Sequence, residues 1–234
     1  MHVAATDYED FANAYSTDND VNLLNNYYER PAMLNLAGEV DGRRILDAGC
    51  GSGPLFEALR GRGARMTGFD SSAQMVGLAR RRLGDDADLR VLDLGGRLPF
   101  ADEEFDDVVS SLVLHYLRDW DGPLRELRRV LKPGGRLILS VNHPAVHKLA
   151  HPGADYFEIT QVATEHTFQG KKAVLHTWHR PLHAMVASFT QAGFRIVRID
   201  EPPVAEDTPR ELLPSHLEGR TRFLGFLFFV LVTD

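Results

Sequence analysis

Cysteine is nearly absent: Cys50 is the single one in 234 residues, which excludes an internal disulfide and any metal site built on paired cysteines. A lone thiol fits a reducing compartment. Positive charge is also short, with 26 Lys and Arg against 33 Asp and Glu and a net charge of −7. That balance argues against sequence-independent binding to a nucleic-acid backbone. The cationic run Arg80-Arg81-Arg82 ends a predicted helix, where cations suit the dipole. Long apolar runs are missing too; Phe226 to Val232 is too short to span a bilayer as a helix. From Met1 to Asp10 there is neither a basic n-region nor an apolar h-region. The expectation is a cytoplasmic protein with neither a nucleic acid nor a membrane as partner.

What is present is the composition of an ordinary globule, 44% hydrophobic and 25% charged, with no internal repeat or dividing linker. The chain is organised around Arg44-Ile-Leu-Asp-Ala-Gly-Cys-Gly-Ser-Gly-Pro-Leu-Phe-Glu-Ala-Leu59. A short apolar run ends at Asp47, glycines follow at 49, 51 and 53, and Pro54 opens a stretch with Leu55, Phe56 and Leu59 at helical spacing. This reads as buried strand, Gly-rich turn and helix, the opening of a nucleotide-binding α/β unit.

The pattern then repeats. Arg65–Asp70 is a second strand ended by an acid, Ser71–Arg80 a capped helix, Leu89–Asp93 a third strand, Phe105–Leu112 a fourth and Arg136–Val141 a fifth. A helix carrying Leu124, Leu127, Val130 and Leu131 is expected to stop at the breaker Lys132-Pro-Gly-Gly135. Such alternation predicts a parallel sheet covered on both faces.

Residues 1–40 read as a helical lid in two pieces, the second starting at Arg30-Pro31. Residues 41–143 form the core. Residues 144–180 insert a β-hairpin, Tyr156–Phe168 and Ala173–His179, and residues 181–234 return a helix and two more strands to the sheet. The whole is expected to be a single α/β domain.

Together Asp47-Ala-Gly-Cys-Gly-Ser-Gly53, Asp70, Asp93, Phe105-Asp-Asp-Val-Val-Ser-Ser-Leu-Val-Leu-His115 and Leu131-Lys-Pro-Gly-Gly135 resemble the class I S-adenosylmethionine-dependent methyltransferases, in their small-molecule, type 11 branch. The resemblance implies a Rossmann-like, doubly wound seven-stranded sheet with its last strand antiparallel. It also implies S-adenosyl-L-methionine as cofactor. Ala48, Gly49, Cys50, Gly51 and Gly53 would line the methionine half, with Asp47 facing its ammonium group. Asp70 beside Ser71 would hold the ribose, Asp93 and the Leu94 backbone the adenine, and Met75 its face. Ser111, Tyr15 and Arg30 would complete the cofactor site. A nicotinamide enzyme is the competing reading, but Gly49-x-Gly51-x-Gly53-Pro54 departs from G-x-G-x-x-G.

A sulfonium already activates its methyl group, so positioning is most of the catalysis, and a base is needed only for protic acceptors. His115 after the fourth strand and His143 after the fifth are the candidate bases, and a lid tyrosine pairing with a histidine in this class implies a Tyr15–His115 contact. Tyr156, Trp178, His179 and Arg180 are candidates for the acceptor pocket. His143, His147 and His151 recur every four residues, but Pro144 and Pro152 flank them, so a solvated loop is expected rather than a metal site. The expected activity is methylation of a small molecule, preferably on oxygen. N-methylation and a non-catalytic cofactor-binding protein are the alternatives.

Overall fold

The structure is a computed structural model that describes Tyr8, residues 11–217 and residues 219–234. The reading of Met1–Asp10 therefore lies outside the described residues, Tyr8 excepted. The strands are β1 (Arg44–Ala48), β2 (Arg65–Asp70), β3 (Asp88–Val91), β4 (Phe105–Ser111), β5 (Leu131–Asn142), β6 (Thr160–Phe168), β7 (Lys171–His179), β8 (Phe194–Asp200) and β9 (Phe226–Thr233). Seven of them form one sheet in the order β3-β2-β1-β4-β5-β9-β8, while β6 and β7 form a separate hairpin. Strand β9 runs antiparallel to both β5 and β8, and the remaining pairs are parallel.

The central strands read as near-continuous apolar runs because helices cover both faces. The α-helices are α1 (Ala12–Asn19), α2 (Arg30–Ala37), α3 (Pro54–Gly61), α4 (Ala73–Leu83), α5 (Asp121–Val130), α6 (Pro144–Ala150) and α7 (Leu182–Gln191). On one face Leu124 and Leu127 of α5 and Phe189 of α7 pack on Val108, Leu137, Leu139 and Phe229. On the other, Met33 and Leu36 of α2 and Leu55 and Leu59 of α3 pack on Ile45, Val109, Ile138 and Phe228. Each fully buried Leu, Ile or Phe contributes about 1.5–3 kcal/mol. At the lower end of β4, Asp107 is fully buried and clamped by Arg43 (2.6 and 2.8 Å) and Arg136 (2.7 and 2.7 Å).

Four elements differ from the sequence reading. No gap separates α5 from β5, since Leu131 already pairs with Phe105 and the Pro-Gly-Gly run is taken up as a register shift. The second lid helix begins earlier, with a π-helical turn over Leu23–Glu29 in which the Arg30 amide donates to Asn25 O. Pro31 has no N–H for Tyr27 O, which accepts from the Ala205 amide instead (2.6 Å), and the widened turn relieves the proline clash. Residues 144–150 are helix rather than loop: Pro144 occupies the first turn and His143 Nδ1 accepts the Ala145 amide (3.1 Å) as cap. The hairpin's first strand starts at Thr160 rather than Tyr156.

The hairpin closes over Gln169-Gly170, both with positive φ (50° and 79°), which matches the twist of its strands. It does not stand apart from the lid. Phe168 stacks on Phe11 of the lid with centroids 5.7 Å apart and meets the Tyr15 ring edge-on at 5.3 Å. Lid and hairpin thus form one aromatic roof above the carboxyl ends of the strands.

Candidate functional site

The floor of the site is the turn after β1. Gly49, Gly51 and Gly53 all have positive φ, 85°, 53° and 85°. The amides of Gly49 and Cys50 both donate to Phe69 O at 2.8 Å, lacing the turn to β2. A Cβ on Gly49 would lie 2.3 Å from Val113, whereas one on Gly51 would project into open space. The turn therefore offers bare backbone on the side where a ligand would lie.

A cavity of about 280 Å³ opens above it, bounded by the tips of β1 to β4 and by the lid. Among its walls are Tyr15, Arg30, Asp47, Gly49, Cys50, Gly51, Asp70, Ser71, Met75, Asp93, Leu94 and Ser111. Of the expected cofactor residues only Ala48 and Gly53 stand outside it; Ala48 is buried in the core, and a Cβ on Gly53 would press on Leu83.

The cavity is acidic. Asp47 is 1% exposed, and among the described residues neither carboxylate oxygen has a hydrogen-bond partner. Burial, with Asp70 and Glu29 adding repulsion, pushes its pKa up to about 8. Asp70 accepts the Gly51 amide on Oδ2 and the Ser72 amide on Oδ1, both at 2.9 Å, and so fixes the turn. Ser72, not Ser71, caps α4. Asp93 is exposed and its Oδ1 accepts the Gly95 amide (2.8 Å) within its own turn. Glu29 is 3% exposed, and its Oε1 accepts from Ser111 Oγ (2.7 Å) and Ser140 Oγ (2.6 Å). Burial raises its pKa as well. Arg30 lines the cavity, but its guanidinium donates to Asn26 Oδ1 and to Asn19, with Asp20 at 3.9 Å.

These residues fit the cofactor that the resemblance implies. An orphaned buried carboxylate and three further acids suit a ligand carrying an ammonium and a sulfonium. The exposed face of the glycine turn leaves room for its methionine half.

A second, larger cavity of about 910 Å³ lies under the hairpin and α6. Tyr15, Asn25, Leu112 and Tyr116 line both cavities, so the two meet there. Leu112 holds a positive φ of 56°, a strained conformation for a side-chain-bearing residue, and its amide donates to Ser140 Oγ at 3.0 Å. Apolar walls come from Leu23, Leu24, Val146, Val162, Leu175, Met185, Phe223 and Phe226.

His115, His143, Trp178, His179 and Arg180 line this cavity, and Tyr156 does not. Tyr156 stands behind the hairpin, its hydroxyl accepting the Leu182 amide (3.1 Å). Arg180 is buried, stacked 4.5 Å over Trp120 and donating to Arg118 O at 2.7 Å; burial lowers its pKa. It braces the floor rather than offering a free cation. Tyr15 does not pair with His115. Among the described residues its ring contacts are Tyr8 and Phe168, and the hydrogen bond across the lid joins the Tyr8 and Tyr116 hydroxyls (2.5 Å).

The histidines differ from bases waiting for a proton. His115 is 5% exposed, burial pulls its pKa down to about 3, and its Nδ1 accepts the Asn142 amide (3.3 Å). The ring is then neutral with its proton on Nε2, a donor. His143 has Nδ1 engaged by Ala145 and Nε2 against Glu201 Oε1 at 2.7 Å. His147 stacks on His179 with centroids 4.1 Å apart, and both its ring nitrogens are buried with no hydrogen-bond partner among the described residues. Among the described residues no three His, Cys, Asp or Glu stand together as a metal set, and no helix is long and apolar enough to cross a membrane.

Sequence reasoning missed Glu29, Tyr8, Tyr116 and the cavity role of His147. Only the neighbourhood of Arg30 in the lid pointed toward the first.

Residues 46–139 match a family model described as a methyltransferase domain. The chain is 34% identical over 135 residues to a demethylmenaquinone methyltransferase of Tropheryma whipplei, covering 57% of this chain and 56% of that one. It is 31% identical over 148 residues to a ubiquinone biosynthesis O-methyltransferase of Stutzerimonas stutzeri, covering 59% and 63%. The matched part thus spans a little over half the length of these curated relatives. Among solved structures, an S-adenosylmethionine-dependent methyltransferase of Mesorhizobium loti shares the fold, with a TM-score of 0.65 and 23% identity over 86% of this chain and 96% of that one.

Proposed function

We propose that the chain, whose residues 46–139 match a methyltransferase-domain model, works as a single class I S-adenosylmethionine-dependent methyltransferase domain. It transfers the methyl group to a small, largely apolar acceptor held in the larger cavity. The observation that carries this reading is the junction of the two cavities at Tyr15, Asn25, Leu112 and Tyr116. A donor site with four acids opens there onto an apolar chamber.

The cofactor supplies an electrophilic methyl; the protein's work is to bind, orient and exclude water. Asp47 and Asp70 would hold the cationic and hydroxyl-bearing parts, and the glycine turn would let them approach. The aromatic roof of Phe11, Phe168, Tyr8 and Tyr15 closes the site from above. His115 serves as a donor through Nε2. Such a donor suits an oxygen acceptor, a phenolate or enolate, which keeps a second lone pair for the methyl. A neutral amine has only one, so oxygen is the favoured atom, in keeping with the name of one relative. The reaction belongs in the cytoplasm, where the free Cys50 stays reduced.

Because His115 is neutral above about pH 3, its titration should leave no inflection in a rate profile across the neutral range. The decisive experiment incubates the purified protein with methyl-labelled S-adenosylmethionine and fractionated small-molecule extract. Label is expected in an apolar product carrying a methoxy group. Label on nitrogen would revise the atom, and binding without label in any fraction would leave a cofactor-binding protein.

A further inference from the structure

Glu29 is a buried carboxylate that the transfer of a methyl group does not by itself require. The widened turn before Pro31 delivers it from the lid onto the tips of β4 and β5. There one oxygen, Oε1, takes both serine hydroxyls, Ser111 at 2.7 Å and Ser140 at 2.6 Å. The other oxygen takes no hydrogen bond among the described residues, and the side chain forms part of the cofactor cavity wall. Arg30, the adjacent cation, is turned away toward Asn19 and Asn26. Glu29 is thus fixed and ionisable, coupled to Arg30 only at longer range, and among the described residues without an ion pair shorter than 4.0 Å.

Its position is informative. Asn25, one turn earlier on the same helix, and Leu112, next after Ser111, line both cavities. A methyl group in transit must cross between the cavities at this junction, so the sulfur that carries it belongs here. Asp47 at the tip of β1 and Asp70 at the tip of β2 line the same cavity and are the carboxylates expected to meet the ammonium and the ribose. Glu29 is the carboxylate left for the sulfur.

We infer that Glu29 is a specificity-determining residue that distinguishes the positively charged sulfur of the methyl donor from the neutral sulfur of its demethylated product. The inference rests on the methyl-donor reading above. Opposite charges about 4–6 Å apart shift equilibria by roughly ten- to a thousandfold. A charge lost on transfer therefore weakens the grip on the product at the moment it must leave.

The test is calorimetric and needs no acceptor. S-adenosylmethionine and S-adenosylhomocysteine are titrated into the intact protein and into its Glu29→Gln variant. Glutamine keeps the shape and a carbonyl oxygen for both serines while removing the charge. The variant is expected to bind S-adenosylmethionine roughly ten- to a hundredfold more weakly, with S-adenosylhomocysteine changed by less than about threefold. Equal weakening of both ligands, or no change in their ratio, overturns the inference while leaving the donor reading intact. Failure of the unaltered protein to bind either ligand overturns both. If Glu29→Gln does not fold, Ser140→Ala loosens the same carboxylate and should lower the ratio by a smaller factor; an unchanged ratio there counts against the assignment.

Discussion

The floor of the site and its roof are made from different materials. The floor consists of strand tips: Gly49 and Gly51 with forced φ, Asp47 and Asp70 at the ends of β1 and β2, all locked into a sheet by parallel ladders. The roof is a lid and a hairpin joined mostly ring to ring, Phe11 and Tyr15 on Phe168. Position in the floor follows from chain direction and sheet register, whereas position in the roof follows from which rings happen to meet. A donor common to many reactions suits the first; an acceptor particular to one suits the second.

The largest expected effect lies under the floor. Removing the Asp107 carboxylate by Asp107→Ala leaves the partly solvated guanidiniums of Arg43 and Arg136 without their shared partner. A loss of about 3 kcal/mol is expected, read as a lowered melting temperature or failure to fold. A variant that melted normally would show that the sheet, and not this clamp, holds the strand tips in place.

Asp47→Asn should affect the floor in two opposite ways. Affinity for S-adenosylmethionine should fall roughly ten- to a hundredfold, as expected for an ammonium deprived of its charge partner. Stability without ligand should rise near neutral pH. The folded-state pKa, about 8, lies above the ordinary ~3.9. Between those values the folded chain holds a proton that the unfolded chain has released. Stability due to Asp47 is therefore complete in acid, declines as pH rises through this window and levels off above it. The variant should lose that slope, measured by melts across pH, and a slope unchanged in the variant would assign it to Glu29.

In the roof, Phe168→Ala removes the ring that ties hairpin to lid. The expected result is local opening: faster proteolysis and amide exchange in residues 160–179, with the melt of the sheet lowered by no more than about 1–2 kcal/mol. Affinity for the methyl donor should change less than rates that need both cavities closed. Cooperative loss of the whole fold would instead make roof and floor one unit.

The sequence discloses the floor because its chemistry is local. An apolar run ended by Asp, then glycines, then a helix opener names both the turn and its ligand face. Even so, the cap of α4 is Ser72 rather than Ser71, a one-residue difference between two equally good caps. The roof is less legible because its features depend on contacts distant in sequence. Glu29 reaches Ser111 and Ser140 only through a π-helical turn, and Tyr27 O is satisfied by Ala205, far along the chain. Burial makes His115 neutral, and its tautomer is set by the amide of Asn142 at the end of β5. Helix α6 is a different kind of miss, since its signal was local: Pro144 suits a first helical turn as well as it suits a loop.

Tyr156 offers the smallest and most discriminating test of where the roof's acceptor wall ends. Its ring faces His179 at 5.5 Å, its carbonyl bonds His179 Nε2 at 2.8 Å and its hydroxyl accepts the Leu182 amide, while Tyr156 itself does not line the larger cavity. Tyr156→Phe removes only the last contact, worth about 0.5–1.5 kcal/mol, and keeps the ring. Once an acceptor is in hand, its KM and kcat should both stay within about twofold of the unaltered protein. Trp178, which lines the cavity from β7, provides the contrast: Trp178→Ala should raise KM for the acceptor. A selective rise in KM for Tyr156→Phe would move the wall outward, because no hydroxyl that merely fastens Leu182 can sense which acceptor is bound.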